Sequence, residues 1–271
     1  MRSLSAVALG VALSLAGCGT LPNGDRWGGG VTVTPGWARA RAAAINAATD
    51  PWVWAPAAGA AALQIDGFDH RLSRWGRSRN PIFGSESNAT VWSDRLRSAS
   101  VGVDLATVLF TPSGDAGGQW LLDKAKGYVV DLAAATTAIE STTLLQHGVL
   151  RERPNGANDH SFPSDHAAAA SVYTRLATLN LQEIPMSGGT RGALDAGLHA
   201  LSFATAWARV EGGWHYPSDT LAGMAIGNFC AEFFTETFMG LEERRERFGF
   251  SALPGGGALT FALALGGEPD D

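Results

Sequence analysis

The chain has 271 residues, of which 45% are hydrophobic and 17% are charged. That composition supplies enough apolar side chains for one sizeable core, so we predict a single domain. A net charge of −6 with only two lysines argues against a nucleic-acid partner, because no basic surface is available to neutralise phosphates. The two cysteines have no C-x-x-C spacing, which excludes a disulfide framework and a structural zinc site.

Residues 1–18 begin with a short positive segment and continue as an apolar run that ends at Cys18. The run is too short to span a bilayer and predicts a secretory signal peptide. Its end, Leu15-Ala16-Gly17-Cys18, resembles the bacterial lipobox, which implies lipidation of Cys18 and anchoring in the cell envelope, facing the periplasm. Gly19 stands where an aspartate favours inner-membrane retention, so the resemblance implies the outer membrane. The alternative is an ordinary secretory signal with a chance cysteine.

The polar, Gly-rich residues 19–35 predict a flexible tether, residues 36–250 a helical domain, and residues 251–271 a tail of unassigned structure. Apolar residues at helical spacing predict a mostly α domain. Two Ala-rich segments come first, Trp37–Asn46 and Trp52–Ile65, followed by five helical segments: Ser87–Leu109, Trp120–Val149, Ala167–Asn180, Gly192–Val210 and Ser218–Leu241. No apolar stretch of about 18 residues follows Cys18, so we expect the mature chain to be soluble apart from its anchor.

Three short segments concentrate His, Arg and Asp in a weakly charged chain: Arg151–Pro154, Ser161–His166 and Arg209–Asp219. The second and third contain Pro-Ser-Asp before an apolar helical run, which predicts two helix N-termini. These could be helix starts and nothing more. Alternatively, two converging N-termini together with Arg153 and Arg209 would form an anion site. Phosphate suits such a site, because guanidinium groups bind its oxygens in bidentate fashion.

His215 and His166 can act as nucleophile, acid or base at neutral pH. Each histidine alone is more typical of a structural residue. Asp219 follows His215 by four residues at a predicted helix start, so its carboxylate could turn back and accept a hydrogen bond from one ring nitrogen. This pairing favours a catalytic role for His215.

Together the three segments resemble the motifs of the type 2 phosphatidic acid phosphatase superfamily, which includes bacterial acid phosphatases and vanadium haloperoxidases. The family motifs are Lys-x6-Arg-Pro, Pro-Ser-Gly-His and Ser-Arg-x5-His-x3-Asp. The chain has Gln146-x6-Arg153-Pro154, Pro163-Ser164-Asp165-His166 and Ala208-Arg209-x5-His215-x3-Asp219 in the same order. The resemblance covers residues 146–219. It implies an all-α helical bundle of the phosphatidic acid phosphatase/chloroperoxidase type, and a phosphoric ester hydrolase that needs no metal or other cofactor.

The resemblance also implies a role for each matched residue. His215 would attack phosphorus and form a phosphohistidine, Asp219 would orient His215, and His166 would protonate the leaving alkoxide and then activate water. The phosphoryl oxygens would be held by Arg153, Arg209, Ser164 and the backbone amides of Asp165 and His166. These roles suit phosphoryl transfer, which depends on positioning and charge stabilisation.

Three positions depart from the family motifs. Gln146 replaces a lysine that should contact phosphate, and Arg151 is the candidate to supply the missing charge. Asp165 replaces glycine and adds a carboxylate at an anion site, unless its side chain faces away or caps its own helix. Ala208 replaces serine and removes a hydroxyl. We therefore expect activity but draw no conclusion about its rate.

The expected substrates are phosphomonoesters or pyrophosphates. A lipid anchor favours lipid phosphates such as phosphatidic acid, phosphatidylglycerol phosphate or polyprenyl pyrophosphate, although a soluble ester would also fit. One alternative is a vanadate-dependent haloperoxidase, for which vanadate would be the cofactor rather than an inhibitor. Another is a degenerate phosphate-binding lipoprotein, suggested by Gln146. A metal site at His160, His166 and His215 is disfavoured, because Pro163 interrupts the spacing and two arginines would repel a cation.

Overall fold

The computed structural model describes residues 17–21, 23–115 and 117–241. Residues 1–16 of the predicted signal peptide and the predicted tail of residues 251–271 lie outside the described residues. The described residues form an all-α bundle, which confirms the predicted fold class. Its eight α-helices are α1 (Trp37–Thr49), α2 (Pro51–Ala62), α3 (Phe68–Arg79), α4 (Glu86–Phe110), α5 (Gly118–Val149), α6 (Asp165–Glu183), α7 (Gly188–Glu211) and α8 (Pro217–Phe234). A 3-10 turn at Ile65–Gly67 precedes α3, and a π-helical turn at Thr235–Met239 follows α8.

Helix α6 is the centre of the bundle and packs against α4, α5, α7 and α8. Its first two turns contain four consecutive alanines, Ala167 to Ala170, all of which are buried. Small side chains let neighbouring helices approach α6 closely on several sides. No helix among the described residues combines the length and hydropathy needed to cross a membrane.

The closest approach in the bundle joins α6 to α8 through two glycines of α8. A Cβ atom on Gly223 would lie 2.3 Å from the carbonyl oxygen of Ser164, and one on Gly227 would lie 2.4 Å from that of Ala168. The two glycines are four residues apart and therefore share one helix face. Near the helix starts, the Ser164 N–H donates to the Asp219 carbonyl at 2.9 Å. Backbone contact thus holds the N-termini of α6 and α8 side by side.

The segment of residues 19–35 is not the free tether that its composition predicts. Trp27 is fully buried, and its indole N–H donates to the side-chain oxygen of Asn180 at 2.9 Å. The ring fits against Gly127, where a Cβ atom would lie 2.2 Å from it. Leu21 is also buried in the same apolar cluster. The tether prediction fails because these two side chains fill a place in the core between α4 and α5.

Helix α3 was absent from the sequence-based prediction for a physical reason. Its inward face contains Asp69, Ser73 and Gly76, which are buried, instead of the apolar residues that mark an amphipathic helix. Helical spacing of apolar side chains is the main signal for a helix in a sequence. A helix that docks through polar and small side chains lacks that signal.

Two carboxyl groups lie in the interior between helices. Asp104 on α4 is fully buried and Asp131 on α5 is 1% exposed. Burial raises the pKa of both, that of Asp131 to about 8, and Asp131 raises that of Asp104 further. The folded protein therefore keeps at least one proton on this pair at neutral pH, whereas the unfolded chain releases it above about pH 4.

This pair predicts a pH-dependent stability. Between about pH 4 and pH 8 the folded state binds a proton that the unfolded state has lost, so the pair's contribution to stability falls as pH rises. We expect Asp131→Asn to be more stable than the wild type, with a gain that grows between pH 5 and pH 8.5 in urea denaturation. Asp115→Asn, at an exposed loop position, is the matched control. A gain that does not change with pH would contradict the prediction.

Candidate functional site

The three sequence segments converge at one end of the bundle. The loop between α5 and α6 contributes Arg153, the start of α6 contributes His166, and the last turn of α7 contributes Arg209. His215 lies in the turn between α7 and α8, and Asp219 lies in the first turn of α8. Residues as far as 66 positions apart in the sequence, Arg153 and Asp219, are therefore brought into one site.

His215 is fully buried, and its environment fixes its tautomer. Its Nδ1 lies 2.6 Å from the carbonyl oxygen of Ser161, and a carbonyl can only accept, so Nδ1 carries the hydrogen. Burial, followed by the charges of Arg209 and Arg153, holds the pKa of His215 well below its usual value. The ring is therefore neutral at neutral pH and Nε2 has a free lone pair. Within the described part of the chain, Nε2 has no hydrogen-bond partner.

Asp219 does not accept a hydrogen bond from His215, contrary to the expectation from their spacing. Its carboxylate accepts from the Ser161 hydroxyl at 2.6 Å and from the Tyr216 N–H at 2.7 Å. Asp219 is the third residue of α8, and its side chain folds back onto the residue before the helix, as in a capping box. Asp219 therefore acts on His215 through Ser161. Its carboxylate accepts a hydrogen bond from the Ser161 hydroxyl, and the Ser161 carbonyl accepts one from the imidazole.

Arg153 and Arg209 supply the positive charge of the site. The Nε atom of each is buried and has no hydrogen-bond partner among the described residues. Both guanidinium groups lie on the ring of Trp214, with centroid distances of 5.3 and 5.1 Å. Burial lowers the pKa of Arg209 to about 10, which leaves it protonated at neutral pH. One buried and one half-buried cation, each with an unused buried donor, are what an anion site requires.

His166 lies between two carboxylates. Its Nε2 is 2.9 Å from Oδ1 of Asp94 on α4, and its Nδ1 is 3.3 Å from Oδ2 of Asp165. The Nε2 contact is a hydrogen bond, whereas the buried Nδ1 has no hydrogen-bond partner among the described residues and meets Asp165 only as a charge contact. Asp94 was missed by the sequence reasoning, because it lies 72 residues before His166 and belongs to no motif.

The carboxylate of Asp165 lies within the site. It neither faces away nor caps α6, because Ser164 fills the cap position with its hydroxyl 3.4 Å from the Ala167 N–H. Oδ1 of Asp165 is 3.8 Å from Nε2 of His215. Burial alone would raise the pKa of Asp165, but the neighbouring His166 and the charge of Arg209 hold it below its usual range. An ionised carboxylate thus lies beside the unpartnered nitrogen.

Two residues expected to contact phosphate have other partners. The Gln146 side-chain amide donates to the carbonyl of Pro163 at 2.8 Å, which supports the loop before α6. Arg151 was the candidate to replace the family's lysine. Its guanidinium instead joins two carboxylates, Asp69 at 2.7 Å and Asp219 at 2.6 Å, so its charge is already neutralised.

Asp69, on the unpredicted helix α3, changes the expected anion site. It accepts from the backbone N–H of Ser218 at 2.9 Å and from the Ser218 hydroxyl at 2.5 Å. The N-terminus of α8 is therefore already occupied by an anion of the protein itself. Of the two helix starts expected to bind phosphate, only that of α6 remains, where the N–H groups of Asp165 and His166 have no carbonyl partner within the helix.

We expect Asp69→Ala to destabilise the fold by about 3–5 kcal/mol, because removal of one partner leaves the Arg151 charge without half of its counter-charge. The Ser218 N–H also loses its acceptor. Urea denaturation at neutral pH measures the change. Asp115→Ala is the control and should cost no more than about 0.5 kcal/mol, since that side chain is exposed. A small, equal cost at both positions would contradict the role given to Asp69.

The described residues include no group of three or more His, Cys, Asp or Glu side chains that could hold a metal ion. His160, which the metal interpretation would need, instead packs its ring against His147 at 4.8 Å. The histidines of the site are also accompanied by Arg153 and Arg209, whose positive charges would oppose a cation.

Comparison with known proteins gives two matches. The family model described as "PAP2 superfamily" matches residues 127–241. A solved structure, described as the "first transmembrane PAP2 type phosphatidylglycerolphosphate phosphatase from Bacillus subtilis", is similar with a TM-score of 0.51 and 18% sequence identity. The similarity covers 69% of this chain and 93% of that one, and it establishes the shared fold. No curated protein sequence matches the chain.

Proposed function

We propose that this chain is a metal-independent phosphatase of the PAP2 type that works through a phosphohistidine, and the match of residues 127–241 to the PAP2 superfamily model supports this proposal. One observation carries the proposal: the neutral, buried His215 presents an unpartnered Nε2 in a site with the buried Arg209 and the half-buried Arg153, whose buried Nε atoms are unused donors. A phosphoryl group needs a nucleophile and positive charge in this arrangement.

In the first step, Nε2 of His215 attacks phosphorus, the N–P bond forms and the ester P–O bond breaks. His166 gives its proton to the departing alkoxide. Nδ1 of His166 and Nε2 of His215 both face the carboxylate of Asp165. A group of only a few atoms, such as a phosphoryl ester, could therefore bridge the two rings. In the second step, His166 takes a proton from water, the hydroxide attacks phosphorus, and phosphate leaves as the N–P bond breaks.

Arg153 and Arg209 would bind the oxygens of the transferred group in both steps, together with the first N–H groups of α6. The Ser161 carbonyl keeps Nδ1 of His215 as the hydrogen-bond donor. The same hydrogen bond can stabilise the positive charge that the ring gains when Nε2 attacks. Asp219 and Arg151 hold Ser161 and the α8 start in place. We assign both to positioning the nucleophile.

The substrate we propose is a lipid phosphate ester or pyrophosphate, such as phosphatidic acid, phosphatidylglycerol phosphate or polyprenyl pyrophosphate. Lipidation at Cys18 would hold the enzyme at the envelope membrane, beside such lipids. The similar solved structure is that of a phosphatidylglycerolphosphate phosphatase, which supports this class.

The proposed site also predicts an effect of Asp165. Its carboxylate lies 3.8 Å from the nucleophilic nitrogen, where the phosphoryl group would bind. Because like charges at this distance repel even when partly screened, we expect Asp165→Asn to bind orthophosphate at least about tenfold more tightly. Calorimetric titration measures this directly. Asp159→Asn, which removes an exposed carboxylate, should leave the affinity unchanged. Weaker binding in Asp165→Asn would contradict the prediction.

The test of the proposed function is phosphate release by the purified full chain in detergent, with EDTA present. The substrates are phosphatidic acid, phosphatidylglycerol phosphate, polyprenyl pyrophosphate and p-nitrophenyl phosphate. Release that continues in EDTA supports the metal-independent phosphatase, and the ratio of rates ranks lipid against soluble esters. No release from any of the four, from protein shown to be helical by circular dichroism, would overturn the proposal.

A further inference from the structure

Helix α3 presents an aromatic and basic face to solvent. Phe68, Arg71, Trp75 and Arg79 recur at intervals of three or four residues and therefore lie on one side of the helix. All four are exposed, Phe68 by 46% and Trp75 by 48%. This is the reverse of an ordinary amphipathic helix of a soluble protein, whose apolar side faces the core.

The apolar character continues at both ends of α3. Ile65 precedes the helix and Ile82 follows it, and each is 66% exposed. Scattered apolar residues are normal on a protein surface, but four large ones along a single short helix and its flanks form an apolar strip, in which arginines alternate with the apolar residues. Such a strip costs free energy in water unless something covers it.

The same face is positively charged in a chain whose net charge is −6. Residues 68–79 contain four arginines and one acid, and that acid, Asp69, is buried beneath the helix. Arg77 is paired with Glu86. Within the part of the chain that the structure describes, no carboxylate pairs with Arg71, Arg74 or Arg79, and all three are exposed.

We propose that this face of α3 docks onto an anionic lipid bilayer, with the helix lying in the plane of the interface. Phe68 and Trp75 would enter the boundary between headgroups and acyl chains, where aromatic rings are favoured. Arg71, Arg74 and Arg79 would bind the anionic headgroups. Aromatic rings and arginines on one side of the helix favour a lipid bilayer as the partner over an acidic protein. An acidic protein would bind the arginines but would leave the apolar strip without a function.

Docking here would orient the candidate site. The inner face of α3 contacts the α8 start through Asp69, and the His70 ring lies 4.5 Å from that of Tyr216. If a bilayer contacted the outer face of α3, only the thickness of α3 would separate it from the turn that holds His215. This use of the surface rests on the proposed function, but the lipid binding itself does not.

The test is hydrogen–deuterium exchange of the full chain with vesicles of phosphatidylcholine alone or mixed with phosphatidylglycerol. We expect the backbone of residues 65–82 to gain protection with the mixed vesicles only. Hydrogen–deuterium exchange is measured separately for each segment. Protection of the N-terminus by the proposed lipid anchor at Cys18 is therefore distinguishable from protection of residues 65–82. No protection of this segment, or equal protection by both vesicles, would overturn the proposal.

Charge reversal gives a second, quantitative test. We expect Arg71→Glu to weaken flotation with mixed vesicles by about tenfold, because the change removes one attraction to the headgroups and adds a repulsion. Arg41→Glu, at an exposed position on α1, makes the same change in net charge and is the matched control. An equal loss in the control would overturn the proposal, because net charge alone would explain it. Hydrolysis of p-nitrophenyl phosphate should be unchanged in both, which separates failure of docking from failure of the proposed chemistry.

Discussion

Replacing His215 by asparagine should abolish turnover, with kcat falling by at least about a thousandfold. An asparagine amide can take the place of Nδ1 and donate to the Ser161 carbonyl, so the fold of the turn is retained. It offers no nitrogen lone pair at the position of Nε2. The loss would therefore report the nucleophile itself and not the structure around it.

The matched control is His199→Asn. His199 stacks on Trp52 with ring centroids 3.5 Å apart, outside the candidate site, and its replacement should leave kcat within about twofold. Trapping gives a second measurement: labelled phosphate should stay on the wild-type protein after an alkaline quench and be lost in acid, as expected for phosphohistidine. Wild-type turnover by His215→Asn would exclude the proposed mechanism.

The second large effect is expected at Arg209. Arg209→Lys keeps the charge but removes the planar fork and the buried Nε that has no partner. We expect kcat/KM to fall by about 10²–10³-fold, the usual cost of one donor aimed at a developing charge. Affinity for orthovanadate should fall with it, because vanadate occupies the same oxygen positions.

Arg191→Lys tests whether any arginine would behave in this way. Arg191 donates to the carbonyls of Leu181 and Ile184 at the end of α6, away from the catalytic end of the bundle. Its replacement should lower stability slightly and leave kcat/KM unchanged. If Arg209→Lys kept both full activity and full vanadate affinity, the anion site would have to be assigned elsewhere.

The sequence was informative where a residue's role depends on its neighbours in the chain. Helices α4 to α8 were predicted because their apolar residues recur at helical spacing, and the π-helical turn after α8 was included in the last predicted segment. His215, His166 and the two arginines were found because each lies in a short motif. Motifs of this kind occur at helix ends, where a few adjacent residues set the local geometry.

Roles that depend on distant contacts could not be read in this way. Asp69 and Asp94 precede the first motif residue by more than 50 positions, and nothing in their local sequence distinguishes them. The acceptor for His215 is a backbone carbonyl, which every residue has, so Asp219 was the only visible candidate. Arg151 could not be separated from a phosphate ligand until both of its carboxylate partners were located.

The contact between α6 and α8 limits how far apart His166 and His215, the two proposed catalytic histidines, can move. Since the backbones meet at Gly223 and Gly227, no side chain lies between them to absorb a change by adopting another rotamer. A methyl group on either glycine would push the helices apart and move His166 away from the turn that holds His215. A displacement of about 1 Å can lower the rate about a hundredfold. We therefore expect these two glycines to control the distance between the histidines, and with it the rate, without contacting the substrate.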